Sequence, residues 1–316
     1  MDNQHVSLVT GGAGFIGSHF CKSLLEAGLS VVCVDSLVTG RRVNIEPLLT
    51  EQGFSFIQGD VRDENILGQL SPLPIVEIYN LASPASVDFI TDNPIYAATT
   101  NSVGVNNLLE LAVEKKAKFL FASSSEVYGD PKDHPQKETY WGNVNPVGVR
   151  SGYDEGKRFG EALVMAYHRK IGLETRIARI FNTYGPNSSP SDGRVIPRFI
   201  TQAIAGQPIP VHGDGTQTRS FCYVTDMVLG LIALMESDIA TPVNFGNPVE
   251  VKIVDVAKKI IALTKSSSQI QFTDRPSDDP FRRKPDITLA KQALGWEPIV
   301  SFDEGLQKTI DYLKHV

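Results

Sequence analysis

The sequence predicts an α/β chain, a doubly wound parallel sheet followed by a smaller C-terminal α/β domain. Three observations predict it. Short, nearly continuous apolar runs alternate with longer amphipathic segments through the first two thirds, the pattern of strands buried on both faces beneath helices. A glycine-rich stretch, Thr10-Gly11-Gly12-Ala13-Gly14-Phe15-Ile16-Gly17, separates the first strand from the first helix. In the last third the alternation stops, and prolines at 186, 190, 197, 208, 210, 242, 248, 276, 280, 285 and 298 punctuate shorter elements.

In chain order, Val6–Thr10 is the first strand, and residues 15–27 form a helix closed by Gly28. Residues 30–34, Phe54–Gln58 and 75–81 are the next three strands, rich in β-branched and aromatic side chains. Residues 94–113 read as a helix, 117–122 as the fifth strand, 152–171 as a long helix and 174–180 as the sixth strand. The last helix is the best signalled. Ser301-Phe302-Asp303-Glu304 has the spacing of a capping box, and Leu306, Ile310 and Leu313 share one face.

Composition excludes several classes. The 316 residues suffice for a large buried core. With 41% hydrophobic and 21% charged residues, the chain is not disordered. A formal charge of −6 leaves no footprint for nucleic acid, and the longest basic cluster is Arg282-Arg283-Lys284. Three cysteines, Cys21, Cys33 and Cys222, without CxxC spacing argue against a disulfide framework or zinc ribbon. The six histidines have no ligand spacing, so no metal is expected. Residues 1–5 show no signal-peptide pattern, and the most apolar run, residues 227–235, is about half a membrane span. The expected location is the cytoplasm.

The glycine stretch satisfies GxxGxxG from Gly11 and GxGxxG from Gly12. Glycines there let the turn close and let backbone approach a pyrophosphate at the helix N-terminus. Asp35, at the end of the second strand, lies roughly 20 residues on, where a carboxylate accepts hydrogen bonds from the adenosine ribose. It would repel the extra phosphate of NADP, so the expected cofactor is NAD, although Arg41 and Arg42 lie nearby. Gly59-Asp60-Val61, after the third strand, is a plausible adenine contact. Together these features describe a Rossmann domain over residues 1–181, with residues 182–316 mainly a substrate domain that returns some segments to the first.

Tyr153-Asp154-Glu155-Gly156-Lys157 is YxxxK on a predicted helix, which sets both side chains on one face. A neighbouring ammonium and a positive nicotinamide favour phenolate, making Tyr153 a general base near neutral pH. Lys157 would also hold the nicotinamide ribose. Ser123-Ser124-Ser125-Glu126 closes the fifth strand at its carboxyl end, where ligands bind in open α/β sheets. A row of serines there is equally able to cap the strand.

TGGAGFIG, SSSEVYG and YDEGK together resemble the extended short-chain dehydrogenase/reductase family acting on nucleotide sugars. Further stretches narrow the likeness to its UDP-glucuronate decarboxylase (UDP-xylose synthase) branch: Leu81-Ala82-Ser83-Pro84-Ala85-Ser86, residues 134–146, residues 178–186, Asp192-Gly193-Arg194-Val195, residues 217–221 and Arg283-Lys284-Pro285-Asp286. The resemblance covers nearly the whole chain.

It implies a three-stage reaction on a UDP-sugar: oxidation at the sugar 4-position by NAD, loss of carbon dioxide from the resulting β-keto acid, and return of the hydride. It implies that Tyr153 is the base, that Ser124 orients the same oxygen, that Ser125 and Glu126 guide decarboxylation, and that Arg283 serves as acid or orienting group. Asn182 and Arg219 would hold the diphosphate, while Ser86, Thr183 and Arg194 would meet the sugar or nucleotide. The cofactor would lie against Gly11, Gly14, Phe15, Ile16, Gly17, Asp35, Ser36, Thr39, Gly40, Asp60, Val61, Leu81, Ser83, Thr100, Ala122, Tyr153 and Lys157. A homodimer built on residues 94–113 and 152–171 is also implied.

The chain departs from the branch at three places. Asn187 replaces an arginine after Gly-Pro, Thr99 replaces a lysine near the substrate, and Val87-Asp88-Phe89 replaces prolines. The related 4,6-dehydratases carry Asp-Glu where this chain has Ser125-Glu126, and the 4-epimerases usually lack the glutamate. Three readings therefore stand: decarboxylase, dehydratase or epimerase of the same family, and a dinucleotide-binding protein without turnover. Tyr153, Lys157, Ser124 and Glu126 speak against the last, which needs none of them.

Overall fold

A computed structural model describes residues 5–275 and 281–316. The prolines at 276 and 280 and most of the N-terminal stretch lie outside the described residues. Seven strands build the main sheet: β1 (Val6–Thr10), β2 (Ser30–Asp35), β3 (Phe54–Gln58), β4 (Ile75–Asn80), β5 (Lys118–Ser124), β6 (Thr175–Ile180) and β7 (Pro242–Phe245). Their order is β7-β6-β5-β4-β1-β2-β3, and every pairing is parallel. The order reverses between β1 and β4, which opens a crevice at the carboxyl ends of the strands. Thr10, Asp35 and Ser124 all end strands at that edge.

The named helices are α1 (Phe15–Glu26), α2 (Val105–Lys115), α3 (Ser151–Ile171), α4 (Val195–Ile204), α5 (Val224–Glu236), α6 (Ile253–Thr264) and α7 (Phe302–Leu313). Residues 94–113 are not one regular helix. Pro94–Thr99 is α-helical, Thr100–Gly104 is a π-helical turn, and α2 follows. A π-turn inserts one residue without breaking the helix, so apolar spacing does not reveal it. It lies close against the sheet side, because a Cβ on Gly104 would stand 2.6 Å from Val61 Cγ2.

β7 extends the main sheet beside β6, and α5 packs on α1. One apolar cluster holds Val9, Phe20 and Tyr79 from the early strands and helix with Phe199, Ile260 and Leu306 from the late ones. The remaining strands are short. Thr218–Ser220 sits between Glu250–Lys252, antiparallel, and Arg282–Arg283, parallel. Helix α7 begins where the capping signal placed it, with Ser301 Oγ accepting from the Glu304 amide at 3.3 Å. The Glu304 carboxylate pairs with Lys308 at 2.8 Å. Among the described residues the three cysteines are free and buried, and no helix is long and apolar enough to cross a membrane.

Candidate active site

A cleft of about 1280 Å³ runs along the carboxyl edge of the sheet, lined by residues from Gly11 to Arg283. Pockets for one drug-sized ligand span roughly 300–1,000 Å³, so this one has room for two. At one end the turn between β1 and α1 is shaped by backbone alone. The Gly11 amide donates to the Val34 carbonyl at 2.7 Å and the Gly14 amide to the Gly11 carbonyl at 3.1 Å. Gly11 has φ +74°, and a Cβ there would meet the Leu81 carbonyl at 2.6 Å. A Cβ on Gly17 would stand 2.8 Å from Gly12 Cα. No side chain caps α1 at Gly14, so its first amides face the cleft.

Asp35 braces this turn from beneath. Its carboxylate accepts from the Ala13 amide at 2.9 Å and from the Leu37 amide at 2.8 Å. Burial raises its pKa, and those amides oppose the rise. Gly40 leaves room for the Asp35 carboxylate, which a Cβ would strike. Ser36, Thr39, Asp60, Val61, Ser83 and Thr100 line the same end of the cleft, as do Phe15, Ile16, Leu81 and Ala122.

Sequence reasoning missed a polar cluster here. Tyr96 donates to Asp60 at 3.0 Å and lies 3.3 Å from Ser36 Oγ. Arg62 grips the same Asp60 carboxylate, at 2.7 Å for the closest pair, and covers the Tyr96 ring at 3.9 Å. No spacing pattern joins residues 36, 60, 62 and 96, so only the fold reveals them.

The catalytic candidates converge where β5 meets α3. The three serines point three ways. Ser123 donates to Glu161 at 2.6 Å, Ser124 hydrogen-bonds with the Tyr153 phenol, and Ser125 accepts from Arg283 Nη1 at 3.2 Å. Ser124 also accepts from the Glu126 amide at 3.2 Å, so it caps the strand end as well as facing Tyr153. Lys157 is buried, donates to the Ala122 carbonyl at 2.7 Å, and lies 5.8 Å from the Tyr153 ring centre.

Burial pushes Tyr153 up to about 12, against the Ser124 hydrogen bond that pulls it down. Burial also pulls Lys157 down to about 7. Desolvation therefore favours the Tyr153 phenol over the phenolate, and a positive nicotinamide ring would oppose it.

Glu126 is pinched between two arginines. Arg283 Nη1 lies 2.8 Å from one carboxylate oxygen and Arg150 Nη2 3.0 Å from the other. Burial would raise its pKa, but the guanidiniums of Arg283, Arg150 and Arg219 hold it below the ordinary carboxylate range. Arg150 and Asp154 were not singled out from sequence. Asp154 lies 3.9 Å from Arg150, and burial together with the Glu126 carboxylate pushes it up to about 7.

The substrate candidates line the rest of the cleft. The Asn182 amide nitrogen is buried and without a hydrogen-bond partner among the described residues. Thr183 donates to the Phe181 carbonyl at 2.9 Å, and Arg194 pairs with Asp192 beneath the cleft wall. Arg219 is buried opposite Arg283 on the neighbouring strand, and Ser86 precedes the helix Val87–Asp92 at the cleft mouth.

Two of the departures fall in unexpected places. Thr99 accepts from Arg62 at 3.0 Å and does not line the cleft; Thr100 does. Asn187, at φ +66°, donates to Ser18 on α1 at 3.0 Å, and its carbonyl accepts from Asn44 at 3.2 Å. It therefore sits against the glycine turn rather than among the catalytic groups. Among the described residues no cluster of three His, Cys, Asp or Glu side chains could hold a metal.

Residues 8–309 match the family described as GDP-mannose 4,6 dehydratase. The chain is 50% identical over 309 residues to UDP-glucuronic acid decarboxylase 1 of Xenopus tropicalis, covering 97% of this chain and 72% of the relative. Its structure resembles the UDP-glucose 4-epimerase of Thermotoga maritima solved with UDP-glucose, with TM-score 0.91, 30% identity and 98% of each chain covered. It also resembles the UDP-glucuronic acid 4-epimerase of Bacillus cereus, in complex with UDP-glucuronic acid and NAD, with TM-score 0.87 and 30% identity over 98% of this chain and 99% of the other. With a Rossmann sheet, a glycine turn and a Ser-Tyr-Lys centre spanned by that match, the chain belongs to the GDP-mannose 4,6-dehydratase family of extended short-chain dehydrogenases/reductases.

Proposed function

We propose that the chain is an NAD-dependent UDP-glucuronate decarboxylase that forms UDP-xylose. The observation that carries this reading is the Ser125–Glu126–Arg283 cluster beside Ser124, Tyr153 and Lys157. The last three suffice for oxidising a hydroxyl. A buried arginine pinned by a glutamate next to them supplies what a departing carboxylate needs, a fixed donor close to the forming enolate.

The residues fit NAD. The glycine cradle admits backbone but no Cβ, α1 presents uncapped amides to a pyrophosphate, and Asp35 offers a carboxylate to the ribose hydroxyls. When bound, NAD supplies a hydride acceptor and donor and a positive ring charge that favours the Tyr153 phenolate. Tyr153 takes the proton of the sugar 4-hydroxyl and returns it when the ketone is reduced. Ser124 orients the same oxygen, and Lys157 would hold the nicotinamide ribose and steady the phenolate. Asn182 and Arg219 hold the diphosphate, where the unpartnered Asn182 amide offers a free donor. Ser86, Thr183 and Arg194 face the sugar or nucleotide. Glu126 stays ionised and fixes Arg283 rather than moving a proton itself.

In this reading residues 1–181 are the cofactor half and residues 182–316 mainly the substrate half. A homodimer is supported by exposed Val103 and Phe159 on the helical segments expected to pair. A cytoplasmic location is supported by the three free thiols.

Incubating the protein with UDP-glucuronate and NAD, followed by mass analysis of the nucleotide product, tests the reading. Loss of carbon dioxide without net NADH is expected, with NAD favoured over NADP. A persistent 4-keto product would assign a reaction stopped after oxidation. No conversion of any UDP-sugar would reject an enzymatic role.

A further inference from the structure

Arg283 reaches the cleft from a strand only two residues long. Pairing with Thr218–Ser220 holds its backbone on one side, and Ser220 Oγ donates to its carbonyl at 3.4 Å. Gln136 holds the other side. Gln136 is wholly buried, and each of its hydrogen-bonding atoms has a partner. Its amide donates to the Lys284 carbonyl at 2.9 Å, and its carbonyl accepts from the Asp286 amide at 2.8 Å. Its side-chain oxygen accepts from the Lys284 amide at 2.8 Å, and its side-chain nitrogen donates to the Asp133 carbonyl at 2.7 Å. Asn244 seals the junction, donating to the carbonyls of Gln136 at 3.0 Å and Asp286 at 3.1 Å.

The junction is wired to the catalytic strand. Asn244 Oδ1 accepts from Tyr128 at 2.8 Å, and the Tyr128 oxygen accepts from Arg179 at 2.9 Å. Arg179 pairs with Glu161 at 2.7 Å, and Glu161 accepts from Ser123 at 2.6 Å. An unbroken chain of hydrogen bonds therefore runs from beside Ser124 to beside Arg283. Gly129, which follows Tyr128, accepts from Arg283 Nη2 at 2.8 Å.

We propose that Gln136 is a positioning residue that sets the Arg283 guanidinium against Ser125 and Glu126, and so controls the carbon-dioxide-releasing stage while leaving the oxidation stage to Tyr153, Ser124 and Lys157. The proposal rests on the decarboxylase reading. A two-residue strand is too short to fix its own register, and misplacing a reacting group by about 1 Å costs up to roughly 10²-fold in rate. Main-chain pairing alone would leave the Lys284 amide unmet; the Gln136 side chain meets it.

The test uses NAD-loaded full-length protein carrying Gln136→Met, which keeps length but loses the amide, and Gln136→Glu, which keeps an acceptor for the Lys284 amide. Gln136→Met is expected to slow UDP-xylose formation by roughly 10- to 100-fold. Absorbance of reduced nicotinamide should build up after mixing with UDP-glucuronate, because oxidation outruns the stage that follows. Gln136→Glu should lose less. In an Arg283→Lys background, Gln136→Met should cost nothing further, the non-additivity expected of residues acting through one group. Unchanged turnover, an additive double variant or a uniform slowing without nicotinamide build-up would overturn the proposal. If Gln136→Met does not fold, the same cycle with Gln136→Glu decides it. Wild-type protein that releases no carbon dioxide from UDP-glucuronate would instead reject the functional reading.

Discussion

The two ends of the cleft are built from different materials. The dinucleotide end is built around backbone, a glycine turn and a bare helix N-terminus braced by one carboxylate, with the Ser36–Asp60–Arg62–Tyr96 side chains beside them. The reaction end is side chains. Tyr153 and Lys157 come from one helix and Ser124, Ser125 and Glu126 from one strand end, while Arg150 precedes that helix and Arg283 arrives from near the C-terminus. A backbone site tolerates no added atom, whereas a side-chain site depends on charges buried together. The first should therefore fail by steric exclusion and the second by protonation or misplacement.

The largest expected break is at the reaction end. Tyr153→Phe should lower turnover by roughly 10²–10⁴-fold, the usual range for a general base, while NAD stays bound. Unchanged turnover would remove Tyr153 from its role. Next comes the backbone end. Gly17→Ala places a Cβ 2.8 Å from Gly12 Cα, and backbone cannot step aside. It should destabilise the protein by about 1–3 kcal/mol and lower the NAD retained through purification. Wild-type NAD content together with wild-type melting would contradict the cradle.

A smaller effect tests the buried charges. Asp154 carries a folded value of about 7 against an ordinary 3.8. The folded protein therefore binds the extra proton between those values, and the stability from it, complete below about 4, is lost as pH rises through 7. Arg150 offsets part of that loss. Asp154→Asn should gain on wild type in melting temperature as pH rises from 4 to 7; a constant difference would show that Asp154 does not titrate there. The smallest effect lies away from both ends. Ser301→Ala removes the α7 cap and should cost about 1 kcal/mol, with turnover and NAD content unchanged. Loss of either would show that α7 reaches the cleft.

Legibility followed the same division. Phe54–Gln58 and Val6–Thr10 were read to the residue, because a parallel strand buried on both faces writes itself as a short apolar run. The Ser301 cap and the face formed by Leu306, Ile310 and Leu313 were equally plain, being local chemistry. The π-turn at Thr100–Gly104 was not, since one inserted residue leaves the apolar spacing nearly intact. At the site, Asp35 was found by its distance from the glycines, but its second task of holding the Ala13 amide was not. Arg283 could be carried over from a family pattern, yet nothing in that pattern paired it with Arg150 across Glu126. Tyr96 and Arg62 had no signal at all.

What could be settled residue by residue along the chain was conformational: where the backbone must pass without a Cβ, which runs are strands, where the last helix starts, and which hydroxyl, phenol and amine stand ready. These depend on nearest neighbours and short periods. The charge state of the same groups depends on how deeply remote elements bury them. Tyr153 at about 12, Lys157 and Asp154 at about 7, and a Glu126 held ionised between Arg150 and Arg283 are products of packing β5, α3 and the strand Arg282–Arg283 into one desolvated corner. Desolvation and Coulomb terms are set by distance in space, and distance in space is fixed only when the chain has folded.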